Sequence, residues 1–260
     1  MNYALITGAS KGIGKSMAEE LAKKGHAVLL IARSEDLLKE LAGQLSNQYK
    51  VSTAYLAIDL SNKNAASTIF DWCQSNGYVV NMLINNAGYG LNGLLEDYTL
   101  QAHLDMMQVN MTSIVELTYL FLPSIKKLPK AYIGNIASGA AYQAVPGLNV
   151  YAATKAFVLS FSRGLAYELR NTTVSVSCVC PGSTDTEFAQ RANVVNEKAL
   201  KLAKKFNMDP ALVARISVEG ILAGKREIVP GFVNKLAKVL ANLLPDSLLE
   251  QSAAGIYGLK

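Results

Sequence analysis

Tyr3-Ala4-Leu5-Ile6, followed at once by Thr7-Gly8-Ala9-Ser10-Lys11-Gly12-Ile13-Gly14, is the stretch on which the reading of this chain turns. A short apolar run breaks into a glycine-rich turn and a helical pattern begins at Lys15, which gives strand, tight turn and helix start. The glycines let the backbone bend sharply and approach a ligand closely, while the free amides at the helix amino end attract an anion. The diphosphate of a dinucleotide suits such a turn, with Gly8, Ser10, Lys11, Gly12, Ile13 and Gly14 around it. The spacing differs from G-x-G-x-x-G, and a plain turn ahead of a helix has the same composition.

The next elements bear on that choice. Gly25 closes the helix, and His26 to Ala32 is a continuous apolar run, the mark of a strand covered on both faces of a parallel sheet. It stops at Arg33, where an NAD-binding chain would carry an acid for the ribose 2′-hydroxyl. A guanidinium there suits a 2′-phosphate, and Lys11 is placed to reach the same group, so NADP(H) is the expected cofactor; both are otherwise ordinary surface cations. Ser34 caps a helix carrying Glu35 and Asp36 in its first turn. Val51 to Ile58 forms a third strand ending at Asp59-Leu60, positioned to touch an adenine. After a helix over Ala65 to Ser75, Val79 to Ile84 forms a fourth strand that ends in Asn85-Asn86-Ala87-Gly88, small residues that leave room for a flat ligand. Repeated strand and helix imply an α/β chain with a doubly wound parallel sheet, its ligands in the crevice beyond the strand carboxyl ends.

Farther along, Glu96 to Leu128 is helical and interrupted near Asn110 and Pro123. An amide inside an apolar helix must be hydrogen-bonded, and a kink or a cap would account for Asn110 by itself. Ala131 to Ala137 is a fifth strand ending at Ser138-Gly139. A helix from about Asn149 sets Tyr151 and Lys155 on one face, four residues apart. Thr173 to Val179 is a sixth strand, followed by Cys180-Pro181-Gly182-Ser183-Thr184-Asp185-Thr186 and a long, partly basic segment. The stretch 183–208 therefore reads as a lid. Asp209 and Pro210 open another helix, and Glu227 to Val229 is a last short strand. Over 231–244, Phe232, Leu236, Val239, Leu240, Leu243 and Leu244 form a stripe opposite Lys235 and Lys238. That helix could be a packed terminus, a dimer contact, a lid or a membrane-surface face.

Composition narrows the classes. A chain of 260 residues, 50% hydrophobic and 17% charged, can bury a large core, and 1–260 reads as a single domain. The net charge of +5 is scattered, with one dense group from Lys198 to Lys205 that reads as a solvated helix face, which argues against nucleic acid. Met1 leads straight into the first strand and no run approaches about eighteen apolar residues, so neither a signal peptide nor a membrane span is expected, and the cytoplasm is the expected location. Cys73, Cys178 and Cys180 lack zinc-like spacing to His26 or His103, so reduced thiols and no metal are expected.

The turn from Thr7 to Gly14, Asp59, the Asn85 to Gly88 stretch, Asn110, Ser138, the Tyr151-x-x-x-Lys155 pair, and Pro181-Gly182 with Thr186 together resemble the short-chain dehydrogenase/reductase family. Any one of these motifs is weak; their order and spacing carry the likeness. The resemblance implies a Rossmann-type sheet of about seven strands with helices on both faces, usually as a homodimer or homotetramer. It implies a catalytic quartet of Asn110, Ser138, Tyr151 and Lys155. The cofactor would touch Leu60, Asn86, Ala87, Gly88, Tyr151, Lys155, Pro181, Gly182, Thr184 and Thr186, with Lys11 and Arg33 similar to the cation pair of the family's NADP users. Lys155 would also hold the nicotinamide ribose and Asn110 a proton-relaying water. Many tetrameric members finish on a short strand and a glycine-rich tail, whereas this chain ends with the basic amphipathic helix, a departure from the usual tetramer's pattern. It looks more like members that act on bulky apolar carbonyls or alcohols, including steroid-like or acyl substrates.

Hydride transfer leaves charge growing on the carbonyl oxygen, so the expected reaction needs a proton donor and a hydrogen-bond donor there: Tyr151 and Ser138. Lys155 is expected to make the phenol more acidic. Tyr89, Ala140, Tyr142, Val145 and Phe188 are the expected walls of an apolar substrate pocket, although each could equally be core. The reading is an NADPH-dependent reductase of a hydrophobic ketone or aldehyde. The alternative is a regulatory protein that keeps NADP binding without turnover.

Overall fold

The computed structural model describes residues 1–194 and 196–257; the side chains of Lys198, Ala199 and Ala203 lie outside the description. The expected domain, lid and basic group therefore each include a position outside the described residues. Seven strands form one parallel sheet: β1 Asn2–Thr7, β2 Ala27–Ala32, β3 Thr53–Ala57, β4 Val79–Asn85, β5 Ala131–Ile136, β6 Val174–Val179 and β7 Glu227–Ile228, in the order β3-β2-β1-β4-β5-β6-β7. Eleven α-helices among the described residues surround it: α1 Gly12–Lys23, α2 Glu35–Tyr49, α3 Ala65–Ser75, α4 Leu100–Met107, α5 Ser113–Ile125, α6 Asn149–Glu168, α7 Phe188–Arg191, α8 Glu197–Phe206, α9 Pro210–Leu222, α10 Phe232–Leu243 and α11 Asp246–Tyr257.

The two-residue period of the strands divides the core. From β1 and β2, Leu5, Leu29 and Ile31 pack with Ile69 of α3, Phe121 of α5 and Leu165 of α6. Their neighbours Ile6, Val28 and Leu30 pack on the opposite face with Met17 and Leu21 of α1, Leu38 of α2 and Val218 of α9. Sequential crossovers run outward from β1 to β3, then the chain returns to β4 beside β1. At that reversal the carboxyl ends of β1 and β4 open into a crevice.

Three details differ from the sequence reading. The interruption at Asn110 is a π-helical turn, Gln108–Thr112, and Pro123 does not stop α5, which runs on to Ile125. Ser34 stands at the amino cap of α2 but makes no capping bond through its hydroxyl, whereas Asp209 caps α9 by accepting from Ala211 N and Leu212 N, both at 3.3 Å. The chain does not end on the basic helix: α11 follows, and its Ala253 is buried. Among the described residues no helix is long and apolar enough to cross a membrane.

Candidate functional site

The glycine turn is stapled to the end of β4. Thr7 Oγ1 accepts from the backbone N–H groups of Asn86 (3.0 Å) and Ala87 (3.1 Å), while Asn86 Nδ2 donates to Thr7 O (2.9 Å) and Gly8 O (3.3 Å). The Asn86 amide is thus spent on holding the turn. Gly8 and Gly12 sit at φ 67° and 55°, left-handed values that suit glycine. A Cβ on Gly14 would lie 2.3 Å from Gly8 O and from Asn86 Nδ2. Gly14→Ala is therefore expected to force the turn apart and weaken nucleotide binding about tenfold or more, read by calorimetric titration with NADPH. Unchanged affinity would remove this turn from the binding site.

The amino end of α1 fits a diphosphate. Lys11, at its cap position, makes no side-chain capping bond, and no acid stands in the first turn, so the helix supplies none of its own negative charge against the free amides. Ser10 lies half-buried beside them, and Ile13 packs its side chain into the core beneath. At the far side of the crevice Arg33 extends from the end of β2, with Nη1 3.7 Å from Asp59 Oδ2; Asp59 Oδ1 accepts from the Ser61 N–H and hydroxyl, both at 2.9 Å. Leu60 is buried next to it. Lys11 does not join Arg33: its ammonium is held by both carboxylate oxygens of Glu187, at 2.8 and 2.9 Å.

That ion pair belongs to the segment after β6, which lies across the crevice. Gly139 N donates to Pro181 O (2.7 Å), Thr184 Oγ1 donates to Gly182 O (3.1 Å), and Thr184 bridges to Met208. The Thr186 side chain approaches Gly12, and Thr186 Oγ1 accepts from Phe188 N (3.3 Å). Phe188 then packs its ring on Tyr151, centroids 5.1 Å apart.

Below lie the four polar residues singled out in the sequence. The π-turn presents Asn110, fully buried, to the loop after β4: its Oδ1 accepts from Tyr89 N (3.1 Å) and its Nδ2 donates to Tyr89 O (2.9 Å) and Thr154 Oγ1 (3.0 Å). The first turn of α6 carries Tyr151, and one turn on Lys155 donates to Ile136 O at the end of β5 (2.9 Å), its Nζ 5.8 Å from the Tyr151 ring centroid. Gly88 sits between them, where a Cβ would be 3.1 Å from both Asn110 Oδ1 and Lys155 Nζ. Ser138, just past β5, accepts from Ala140 N (3.1 Å) and faces the Tyr151 hydroxyl. The structure brings Asn110, Ser138, Tyr151 and Lys155 together.

Their electrostatics depart from the expectation that the lysine makes the phenol acidic. Burial pushes the Tyr151 phenol up to about 12; the Ser138 hydroxyl draws it down and Tyr257 adds to the rise. Burial likewise pulls Lys155 down to about 8, opposed by the neighbouring Cys178 and Cys180 thiols. Both groups lie out of water, so desolvation penalises phenolate and ammonium alike.

Of the expected pocket walls, Tyr89, Ala140, Val145 and Phe188 share a cluster with Tyr151. Tyr142 does not join them. It points to the other side of its turn, among Ala141, Val158 and Cys180, where its hydroxyl donates to Glu227 (2.6 Å), a carboxylate also bound by Arg163 (2.7 Å) and Lys238 (2.5 Å). The sequence reading also missed Leu91, Met106, Leu148, Ala253 and Tyr257 in the Tyr151 cluster. Pro245-Asp246 was the available signal for the helix that delivers the last two.

The profile of the short chain dehydrogenase family matches residues 2–196. The very-long-chain 3-oxoacyl-CoA reductase of Homo sapiens is 36% identical over 196 residues, 72% of this chain and 61% of that protein, so the chain spans about three fifths of that relative's length. A short-chain dehydrogenase from Sphingobium yanoikuyae, solved in complex with NADPH, is 27% identical with a TM-score of 0.81, covering 94% of both chains. The bulky-bulky ketone specific alcohol dehydrogenase of Comamonas testosteroni is 28% identical with a TM-score of 0.76, covering 94% of this chain and 93% of that one.

Proposed function

The chain belongs to the short chain dehydrogenase family, and from that premise we propose that it is an NADPH-dependent reductase of hydrophobic ketones, reversible as an alcohol dehydrogenase. Family members are oxidoreductases of CH–OH and C=O groups. The observation that carries the finer reading is the apolar cluster around Tyr151, made by buried Met106 and Val145 with half-buried Tyr89, Leu91 and Phe188.

When bound, the reduced nicotinamide supplies hydride to the carbonyl carbon. Tyr151 gives its phenolic proton to the carbonyl oxygen, and Ser138 donates a hydrogen bond to the same atom as charge builds on it. Lys155, in its ammonium form, offsets the cost of leaving a phenolate in a buried site. Taking the 5.8 Å between Nζ and the ring centroid as the separation, with an effective dielectric near 20, that charge is worth about 3 kcal/mol, or roughly two pKa units. Asn110 clasps the Tyr89 backbone and so fixes the loop over the site. Gly8 to Gly14 would receive the diphosphate, and Pro181, Gly182 and Thr186 would hold the nicotinamide end.

The NADPH preference is assigned to Arg33, whose guanidinium is exposed and weakly engaged by Asp59 at 3.7 Å. Lys11, committed to Glu187, is left a smaller part. Arg33→Ala is expected to raise the KM for NADPH by about ten- to a hundredfold while NADH is nearly unaffected, because a charge-assisted phosphate contact is worth about 1.5–3 kcal/mol. An equal change for both cofactors would move the phosphate elsewhere.

For substrate class, the related 3-oxoacyl-CoA reductases and the bulky-ketone enzyme both point to a ketone on an apolar body. NADPH oxidation across aliphatic, aromatic, steroid-like and 3-oxoacyl thioester substrates tests this; faster turnover of small polar sugars would overturn it. Exposed Tyr119 on α5 and Tyr167 on α6 leave faces open to a second copy, and a homo-oligomer built there belongs to the same proposal. The three buried free thiols suit the cytoplasm.

A further inference from the structure

We infer that the outward face of α10, together with α8, is a docking surface for an anionic lipid bilayer. An ordinary surface helix turns its large apolar residues toward the core. This one is reversed. Asn234, Ala237, Lys238 and Ala241, spaced i, i+3, i+4 and i+7, face the turn at Gly139 to Tyr142; Lys238 reaches Glu227, and Asn234 Nδ2 donates to Pro230 O (2.7 Å). The large residues Phe232, Leu236, Val239, Leu240 and Leu243 point outward, Phe232 81% and Leu243 74% exposed. No residue of α10 is buried.

The inward side of the helix is already satisfied, so sliding or rotating it into the core would strand Lys238 away from Glu227. The outward stripe therefore awaits an apolar phase outside the protein. Charge identifies that phase. In sequence, α8 and α10 hold six lysines and a single acid, Glu197, which pairs with Lys201 at 3.1 Å; Lys238 is taken by Glu227, and Lys204, Lys205 and Lys235 supply the outward charge. Leu202 and Phe206 of α8 are exposed beside Lys205. A second copy seated by two-fold symmetry would bring this basic surface against itself, like charge against like. Anionic headgroups instead neutralise the lysines while the apolar side chains enter the acyl boundary, as an in-plane amphipathic helix requires.

Both helices lie near the site: α11 contacts α8 and carries Ala253 and Tyr257 into the Tyr151 cluster, and α10 contacts the turn at Gly139–Tyr142. The docking inference does not depend on the substrate assigned above.

The test is flotation of the full chain with phosphatidylcholine vesicles, with and without phosphatidylserine, at low and high salt. Binding to the serine-containing vesicles that weakens with salt is expected. Leu236→Glu with Leu240→Glu should lower it about tenfold or more, and Lys235→Glu should lower it in a salt-dependent way. Both variants should keep their circular dichroism and their turnover of a water-soluble ketone, since neither position touches the site. Failure of the wild-type chain to float with either vesicle overturns the inference, as does undiminished flotation of the Leu236→Glu, Leu240→Glu chain. A dimer in size-exclusion chromatography that this double substitution splits, without vesicle binding, would show that a second copy covers the face.

Discussion

Tyr151→Phe is expected to cut kcat by about a thousandfold or more while NADPH binding stays within about twofold, because only the proton donor is removed. The ring keeps its packing against Phe188, and the loss of one hydroxyl leaves Ser138 free to hydrogen-bond water. A thousandfold is about 4 kcal/mol of transition-state stabilisation, which a positioned general acid can supply. Stopped-flow single turnovers with fluorescence titration of NADPH separate the two quantities. More than a few per cent of residual turnover would transfer the proton to another group and retire the assignment.

Lys155→Met should be nearly as severe, about a hundredfold or more in kcat, yet it should not harm the fold. Met removes the cost of burying an ammonium but leaves Ile136 O without its donor, so the two effects oppose and the melting temperature at pH 7 is expected to shift by only about a few degrees. The pH dependence follows from the depressed value near 8. The unfolded chain holds this proton up to an ordinary lysine value of about 10.4, so between about pH 8 and 10 it binds more protons than the folded one, and the contribution of Lys155 to stability rises with pH across that window. The Met variant should lose that rise. In the wild type, kcat/KM for reduction should fall as pH climbs through about 8, when the ammonium that offsets phenolate formation is lost. A profile flat to pH 10, or a Met variant that unfolds, would mean that Lys155 acts only by packing.

Much of this was legible in sequence because it is written in short range. The apolar run His26 to Ala32 and the glycine turn each signal their element within a dozen residues, and Tyr151 and Lys155 share a helix face by spacing alone. What escaped depends on distant partners. Lys11 looked free until Glu187, 176 positions away, closed on it. Tyr142 and Ala140 are two residues apart on one tight turn, and which side each faces is set by Glu227, from the last strand. Tyr257 reaches Tyr151 only because α11 folds back after an outward-facing α10, and no local period announces such a return.

The π-turn at Gln108–Thr112 has one more consequence. Each residue of an α-helix advances the side chains by about 100°, so one extra residue in a single turn acts as a phase shift between the segments on either side. Upstream, Met106 looks toward Tyr151; downstream, Leu117 and Phe121 look into the sheet. Excising one residue there would swing one of those two faces into solvent, so the irregularity is the joint by which one rod serves two separate interiors.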